Sequence, residues 1–274
     1  MLKKRVISAS VLLPIVVGLI ALGAWPYWLL VAVVTGVAGF EYTRMFRKKG
    51  YDLSIPLTIL TILIWEANAI WPDVSWLPTG VTVATLIIML SEVVRLRQSP
   101  QRPNPTEQWA LTLAGASYLG IGGAYLMLLR ARPDGFWWTI TTLIIVWISD
   151  SAAYFVGKRW GTHKIAPNIS PGKSWEGYGA QVVSGFASGL LMGWLWPALS
   201  SASLSLNAWR GLILGGVVSA LCPVGDFFVS MMKREVDVKD TSNLIPGHGG
   251  VFDRIDTVLW AVVLAHIVTE FLFS

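Results

Sequence analysis

Residues 233–256 read KREVDVKDTSNLIPGHGGVFDRID and carry four basic side chains, five acidic ones and a histidine. Asp253 and Asp256 stand three apart, so a helix that begins near residue 252 puts both carboxylates on one face of its first turn. That pairing suits Mg²⁺, a hard cation that takes one or two carboxylates and leaves its other positions to water and phosphate. The glycines of PGHGG, Gly249 and Gly250 among them, let backbone N–H groups come close to an anion. His248 either donates to a phosphate or caps the turn. Lys233, Arg234 and Lys239 can neutralise a polyphosphate, with Asp240 and Arg254 as further contacts. Acids for a metal beside bases for phosphate are the apparatus of phosphoryl or nucleotidyl transfer.

A second polar stretch, GKRWGTHKIAPNISPGKSWEG, runs from Gly157 to Gly177. Its GKS invites a P-loop reading, but that motif needs glycine five residues before Gly172, where Pro167 stands. Lys173 and Ser174 still offer an ammonium and a hydroxyl beside flexible backbone, which is enough to hold phosphate oxygens. Pro167 and Pro171 stiffen the loop. Two acids, Asp150 in VWISDSAAYF and Asp226 in CPVGDFFVS, fall inside apolar runs. A charge near a bilayer centre costs about 2.5–3.5 kcal/mol on insertion scales, so each must serve a function or pair with a nearby base. Asp226 can complete a cation site with Asp253, and Asp150 is a further ligand candidate. Glu41, Glu92 and Glu107 are expected to reach the membrane interface, and Glu66 the outer face. A Cys/His zinc site is excluded in practice by one cysteine, Cys222, and three scattered histidines.

The elements that must position these groups are membrane helices. The 274 residues are 54% hydrophobic and 14% charged, against about 25% charged in a soluble domain. Nine apolar runs approach the roughly 20 residues that a span needs: 6–24, 27–43, 53–71, 79–96, 107–129, 136–157, 177–197, 209–231 and 255–273. With the N-terminus inside, 18 of the 21 lysines and arginines fall on cytoplasmic segments, as the positive-inside rule requires. The same rule accounts for the net charge of +5 without nucleic acid. The first run is too long for a cleaved signal peptide and is expected to remain as a helix. The expected fold is all-α, a polytopic helical bundle of about nine transmembrane helices with a cytoplasmic N-terminus.

Residues 1–135 form the scaffold in this reading, with possible lipid entry or dimer contacts. Residues 136–274 form the catalytic region, with cytoplasmic loops 158–176 and 232–254. Gly185, Gly189 and Gly193, then Gly211 and Gly215, recur every fourth residue and predict close helix–helix contact within one chain. Tryptophans such as Trp25, Trp71, Trp137 and Trp196 gather at span ends, as an interfacial belt does.

Ser230, Lys233-Arg234, Lys239-Asp240, Ser242, Ile245-Pro246, His248-Gly249-Gly250, Asp253-Arg254 and Asp256 resemble, in order and spacing, the signature of phosphatidate cytidylyltransferases, also called CDP-diacylglycerol synthases. ISPGKSWEG and SDSAAYFVGKRWG are similar to the same family, whereas the N-terminal half resembles it only in being helical and apolar, with FEYTRMF near the second span. The resemblance implies transfer of CMP from CTP to phosphatidate, giving CDP-diacylglycerol and pyrophosphate. It also implies Mg²⁺ with a possible second cation, a homodimer, and a metal held by Asp226 and Asp253. Asp256 and Asp150 are secondary metal candidates, and Arg159 could draw the lipid head toward the interface.

A CTP-dependent polyprenol kinase is the nearest alternative, and an ion-coupled transporter using Asp150 and Asp226 is a more distant one. The crowding of polar residues into the second half disfavours the transporter. The expected location is a bacterial plasma membrane, multi-pass, with the active site facing the cytoplasm.

Overall fold

The computed structural model describes residues 2–71, 77–200, 203–245 and 249–273, with backbone alone at 2–9, 11, 272 and 273. The described chain is helical apart from one small hairpin. In order it runs α1 (Leu2–Leu22), α2 (Ala24–Arg47), α3 (Ile55–Ile70), α4 (Leu77–Gln98), α5 (Pro105–Ala131) and α6 (Gly135–Trp160). Then come β1 (Lys164–Ala166), β2 (Ser170–Ser174), α7 (Trp175–Leu199), α8 (Ala208–Leu221), α9 (Pro223–Glu235) and α10 (Phe252–Phe273). Each of the nine apolar runs of the sequence maps onto helix. Among the described residues, six are long and apolar enough to cross a membrane: α2, α4, α5, α6, α7 and the α8–α9 pair. The 16 residues of α3 reach only about 24 Å at 1.5 Å per residue.

Two compact units emerge. The first is Met1–Leu128 with Glu235–Ile255, and the second is Leu129–Arg234 with Asp256–Ser274. The loop after α9 therefore groups with the N-terminal helices, although it lies far along the chain.

In the first unit, tyrosine hydroxyls pin α2 to α5. Tyr27 donates to the Leu126 carbonyl at 3.1 Å and Tyr42 to that of Leu111 at 2.8 Å. Gly115 makes room for the Tyr42 ring, which a Cβ there would meet at 2.2 Å. Glu66 does not reach an outer face: it is 1% exposed and accepts from Thr35 Oγ1 at 2.7 Å. Glu92 is also buried, paired with Arg95 and Arg102. Arg47, Arg95 and Arg102 converge on Asp52, which ties the turn-rich 98–104 linker to the end of α2.

In the second unit, α6, α7 and α8 pack closely through glycine. A Cβ at Gly189 would lie 2.1 Å from the Gly211 carbonyl, and one at Gly215 the same distance from that of Gly185. The glycine stripes thus serve contact within the chain. Residues 158–176, expected as a stiff loop, hold an antiparallel pair in which Lys164 faces Ser174 and Ala166 faces Ser170. The eighth apolar run is broken: α8 ends at Leu221 and α9 starts at Pro223. Proline lacks the N–H that would continue the ladder, and its ring clashes with the carbonyl four residues back. The break puts Asp226 in the first turn of α9, where the positive end of the helix dipole favours an anion. Non-helical backbone at membrane depth is tolerated where protein or a polar cavity meets it.

Candidate active site

The acids and bases of the second unit gather around α9. Asp226 Oδ2 lies 2.7 Å from Lys173 Nζ, and Ser230 one turn on donates to Asp226 Oδ1 at 3.0 Å. The Lys173 ammonium also sits 4.1 Å from the centre of the Phe227 ring, a cation–π contact that aims it at the start of α9. Both partners of the Lys173–Asp226 pair are partly open, with side-chain exposures of 25% and 31%. Asp256 is buried on α10 and accepts from the Thr257 N–H at 2.7 Å. A Cβ at Gly225, at the start of α9, would lie 2.5 Å from the Asp256 carbonyl, so the two helices meet closely there. Asp150 lies on the exposed side of α6 and accepts from Gln181 Nε2 at 3.1 Å. Lys233 is buried on α9. Asp226, Lys173 and the Asp256 segment of α10 thus meet at the start of α9.

The remaining candidates of this unit do different work. Ser174 is 2% exposed, and its Oγ accepts from the Gly177 N–H at 3.2 Å as the N-cap of α7. Gly177 is needed there because a Cβ would meet the Ala153 carbonyl at 2.8 Å. Ser174 therefore fixes the start of the helix that follows Lys173. Arg234 is exposed and donates through Nε to the Ile169 carbonyl, which links α9 to the β-hairpin turn. Arg159 is exposed and stacks on Trp160 at 5.3 Å.

The loop of the first unit is built around two other carboxylates. Asp253 Oδ2 accepts from Thr241 N–H at 2.9 Å, from Gly250 N–H at 3.1 Å and lies 3.0 Å from Thr241 Oγ1. Glu41 of α2, 2% exposed, accepts from Phe252 N–H at 2.8 Å and Val251 N–H at 3.0 Å. It also accepts from the Ser242 hydroxyl and lies 3.3 Å from Thr241 Oγ1. Phe252 is fully buried, with ring contacts to Tyr42 and Tyr118 at 6.2 and 6.3 Å. Gly250 has no room for a side chain: a Cβ would lie 2.1 Å from Thr241 Oγ1 and 2.7 Å from Glu41 Oε2. Gly249 takes φ +82°, a left-handed backbone that favours glycine, and Asp240 flanks it. Lys239, Asp240 and Arg254 are exposed. His248 lies outside the described residues.

Asp253 and Asp256 stand one turn apart on α10 but belong to different units. It is Asp256 that joins Asp226 within the second. Sequence reasoning missed Glu41, which was expected at the interface. The available signal was the single acid of α2, in FEYTRMF. It also missed Gln181, whose amide holds Asp150.

Among the described residues, no three carboxylates, imidazoles or thiols converge into a ready-made cation cage. Mg²⁺ does not need one, because it is held by one or two carboxylates together with substrate phosphates and water. The second unit fits that description: Asp226 and Asp256 are hard oxygen donors, and Asp226 is open enough to exchange partners.

A family model described as the cytidylyltransferase family matches residues 3–272. A protein of Haemophilus influenzae named phosphatidate cytidylyltransferase is 32% identical over 96% of this chain and 96% of its own. Proteins of the same name from Staphylococcus haemolyticus and Mycobacterium bovis are 29% and 28% identical, covering 97% and 98% of this chain and 98% and 90% of their own. With a helical fold able to cross a membrane several times, a signature loop locked at its glycines and a match running almost end to end, the chain belongs to the cytidylyltransferase family.

Proposed function

We propose that this protein is a phosphatidate cytidylyltransferase, a multi-pass membrane enzyme that uses CTP and phosphatidate to make CDP-diacylglycerol and pyrophosphate. The observation that carries the proposal is the partly open Lys173–Asp226 pair at the start of α9, with Asp256 on the helix packed against it. The full-length similarity to proteins of that name supports it.

A phosphate oxygen of phosphatidate attacks the α-phosphorus of CTP, and the bond from that phosphorus to the bridging oxygen of the β-phosphate breaks. The attacking phosphate is already an anion near neutral pH, so no strong base is required. Catalysis is then positioning and charge neutralisation. Lys173 and Lys233 neutralise the phosphates. Lys173 is held over Phe227 and can exchange Asp226 for a phosphate oxygen. Arg234, Lys239 and Arg254 draw polyphosphate toward the site. Gly249 lies beside Asp240, the Gly250 N–H is held by Asp253, and His248 belongs to the same nucleotide loop. Asp226, with Asp256 and Asp150 beside it, would hold Mg²⁺. When bound, the ion offsets charge on the phosphates and supports departure of pyrophosphate. The assignment of Asp253 to the metal rests on the family resemblance.

Nine spans, a cytoplasmic N-terminus and site, lateral entry of the lipid head past Arg159, a bacterial plasma membrane and a homodimer complete the proposal. The 18 cationic residues on one set of loops support the orientation.

The test is a product assay in phosphatidate-containing micelles with CTP labelled at the α-phosphate, with and without Mg²⁺. Label should enter a chloroform-soluble CDP-lipid, and it should not do so for Asp226→Asn. Label that stays aqueous with folded protein would sink the proposal and send the question to γ-labelled CTP with a polyprenol.

A further inference from the structure

A buried carboxylate in an apolar helix is costly unless donors surround it, and Glu41 has such a set. Among the described residues its donors all come from one distant stretch: Thr241, Ser242, Val251 and Phe252. The sequence separation is 200 residues or more. Two donors are backbone N–H groups at the very start of α10, which lack partners within the helix. Glu41 therefore caps α10 from another helix. The other two are hydroxyls at the opposite end of the same loop, so the one carboxylate ties together both stems of the loop that carries Gly249 and Gly250.

A second link leads to the signature itself. Thr241 Oγ1 lies between Glu41 Oε2, at 3.3 Å, and Asp253 Oδ2, at 3.0 Å. Its single proton serves one carboxylate at a time, while the Thr241 N–H stays with Asp253. Gly250 closes the same ring by donating to Asp253, and its missing Cβ is what lets Glu41 approach. A scaffold role for α2 would need only apolar packing, which Phe46 and Tyr42 supply. A charged side chain that accepts from both loop stems sets the loop's shape.

We infer that Glu41 is a positioning residue for the nucleotide: through Thr241, Ser242 and the α10 N-terminus it holds residues 241–245 and 249–252 in the shape that receives the CTP phosphates. This inference rests on the proposed cytidylyl transfer. The scaffold half of the chain thus contributes to substrate selection without touching the reacting atoms.

The experiment compares wild type, Glu41→Gln and Glu41→Asp as full-length protein in micelles. Glutamine keeps the shape but replaces one acceptor oxygen by a donor, so it loses half of the clamp. Hydrogen–deuterium exchange is followed on the peptides covering 241–252, together with KM for CTP and for phosphatidate. Glu41→Gln should speed exchange at Val251 and Phe252 and raise KM for CTP about 10-fold, the loss expected for charge-assisted hydrogen bonds. KM for phosphatidate should hold, and Glu41→Asp should recover part of the CTP affinity. Unchanged exchange overturns the clamp. Faster exchange with unchanged KM for CTP, or equal rises in both KM values, reduces Glu41 to structure and overturns the inference. If Glu41→Gln does not fold, Ser242→Ala, which removes one donor, must show the same CTP-only rise on a smaller scale, and its absence overturns the inference. The exchange readout needs no turnover, so inactive wild type would count against the transferase reading and not against the clamp.

Discussion

The two units each hold a carboxylate network, one buried and one partly open, and they satisfy it differently. In the first, Glu41 and Asp253 accept chiefly from backbone N–H groups and hydroxyls, which are neutral and fixed in place. In the second, Asp226 is met by the Lys173 ammonium, and Asp256 lies on the helix packed against it. Fixed neutral donors make a frame that does not rearrange. A partly open ion pair makes a set of charges that a phosphate or a metal can reorder. The first network therefore shapes a loop, and the second is the one proposed to meet the substrate's charge.

Replacing one acid in each network separates these roles. Asp226→Asn should cut CDP-lipid formation about 1,000-fold, the scale of losing a preorganised electrostatic group. Its melting temperature should stay near wild type, because the side chain is partly open and its partner can reach water. Asp253→Asn should also abolish activity but lose about 2–3 kcal/mol of stability, since a buried, multiply hydrogen-bonded acceptor is disturbed. Thermal melts beside the label assay distinguish the two, and equal stability losses would erase the contrast drawn here.

Lys173→Met should lower turnover about 100-fold and leave the fold intact, with Lys173→Arg recovering part of the rate. A full-rate Lys173→Met enzyme would remove that cation from the comparison. Gly189→Ala probes packing alone: the added Cβ meets the Gly211 carbonyl at 2.1 Å, so about 1–3 kcal/mol of stability should be lost. KM for CTP should not change in the folded protein. The smallest effect should come from Asp52→Asn, whose side chain is 55% exposed. Its ion pairs are worth less than about 1 kcal/mol, measurable as a slight fall in melting temperature.

Much of this was legible in residue order. The apolar runs marked every helix because the cost of unsatisfied backbone polarity leaves a membrane chain few alternatives. The glycine stripes announced the α7–α8 contact because only glycine lets two backbones come that close. The signature residues carried the family because their types and spacing are rare together. What stayed illegible was which groups meet. Hydropathy runs straight through CPVGDFFVS, and only the structure shows that Pro223 starts a new helix with Asp226 in its first turn. That the hydroxyl of Ser174, read in GKSWEG as a phosphate contact, caps α7 appears only in the structure. Glu66 and Glu41 look like interfacial acids, and both are buried with partners from other helices or a distant loop.

The sequence by itself determined the membrane, the helices and the chemistry available, because hydropathy, charge and motif spacing are local properties that need no partner. Tertiary structure alone decided that Lys173 faces Asp226, that Asp256 joins it, and that Glu41 closes the loop around Gly250. A side chain's partner is set by the packing of elements far apart in the chain. For an ionisable group in a low-dielectric interior, the partner is most of its chemistry.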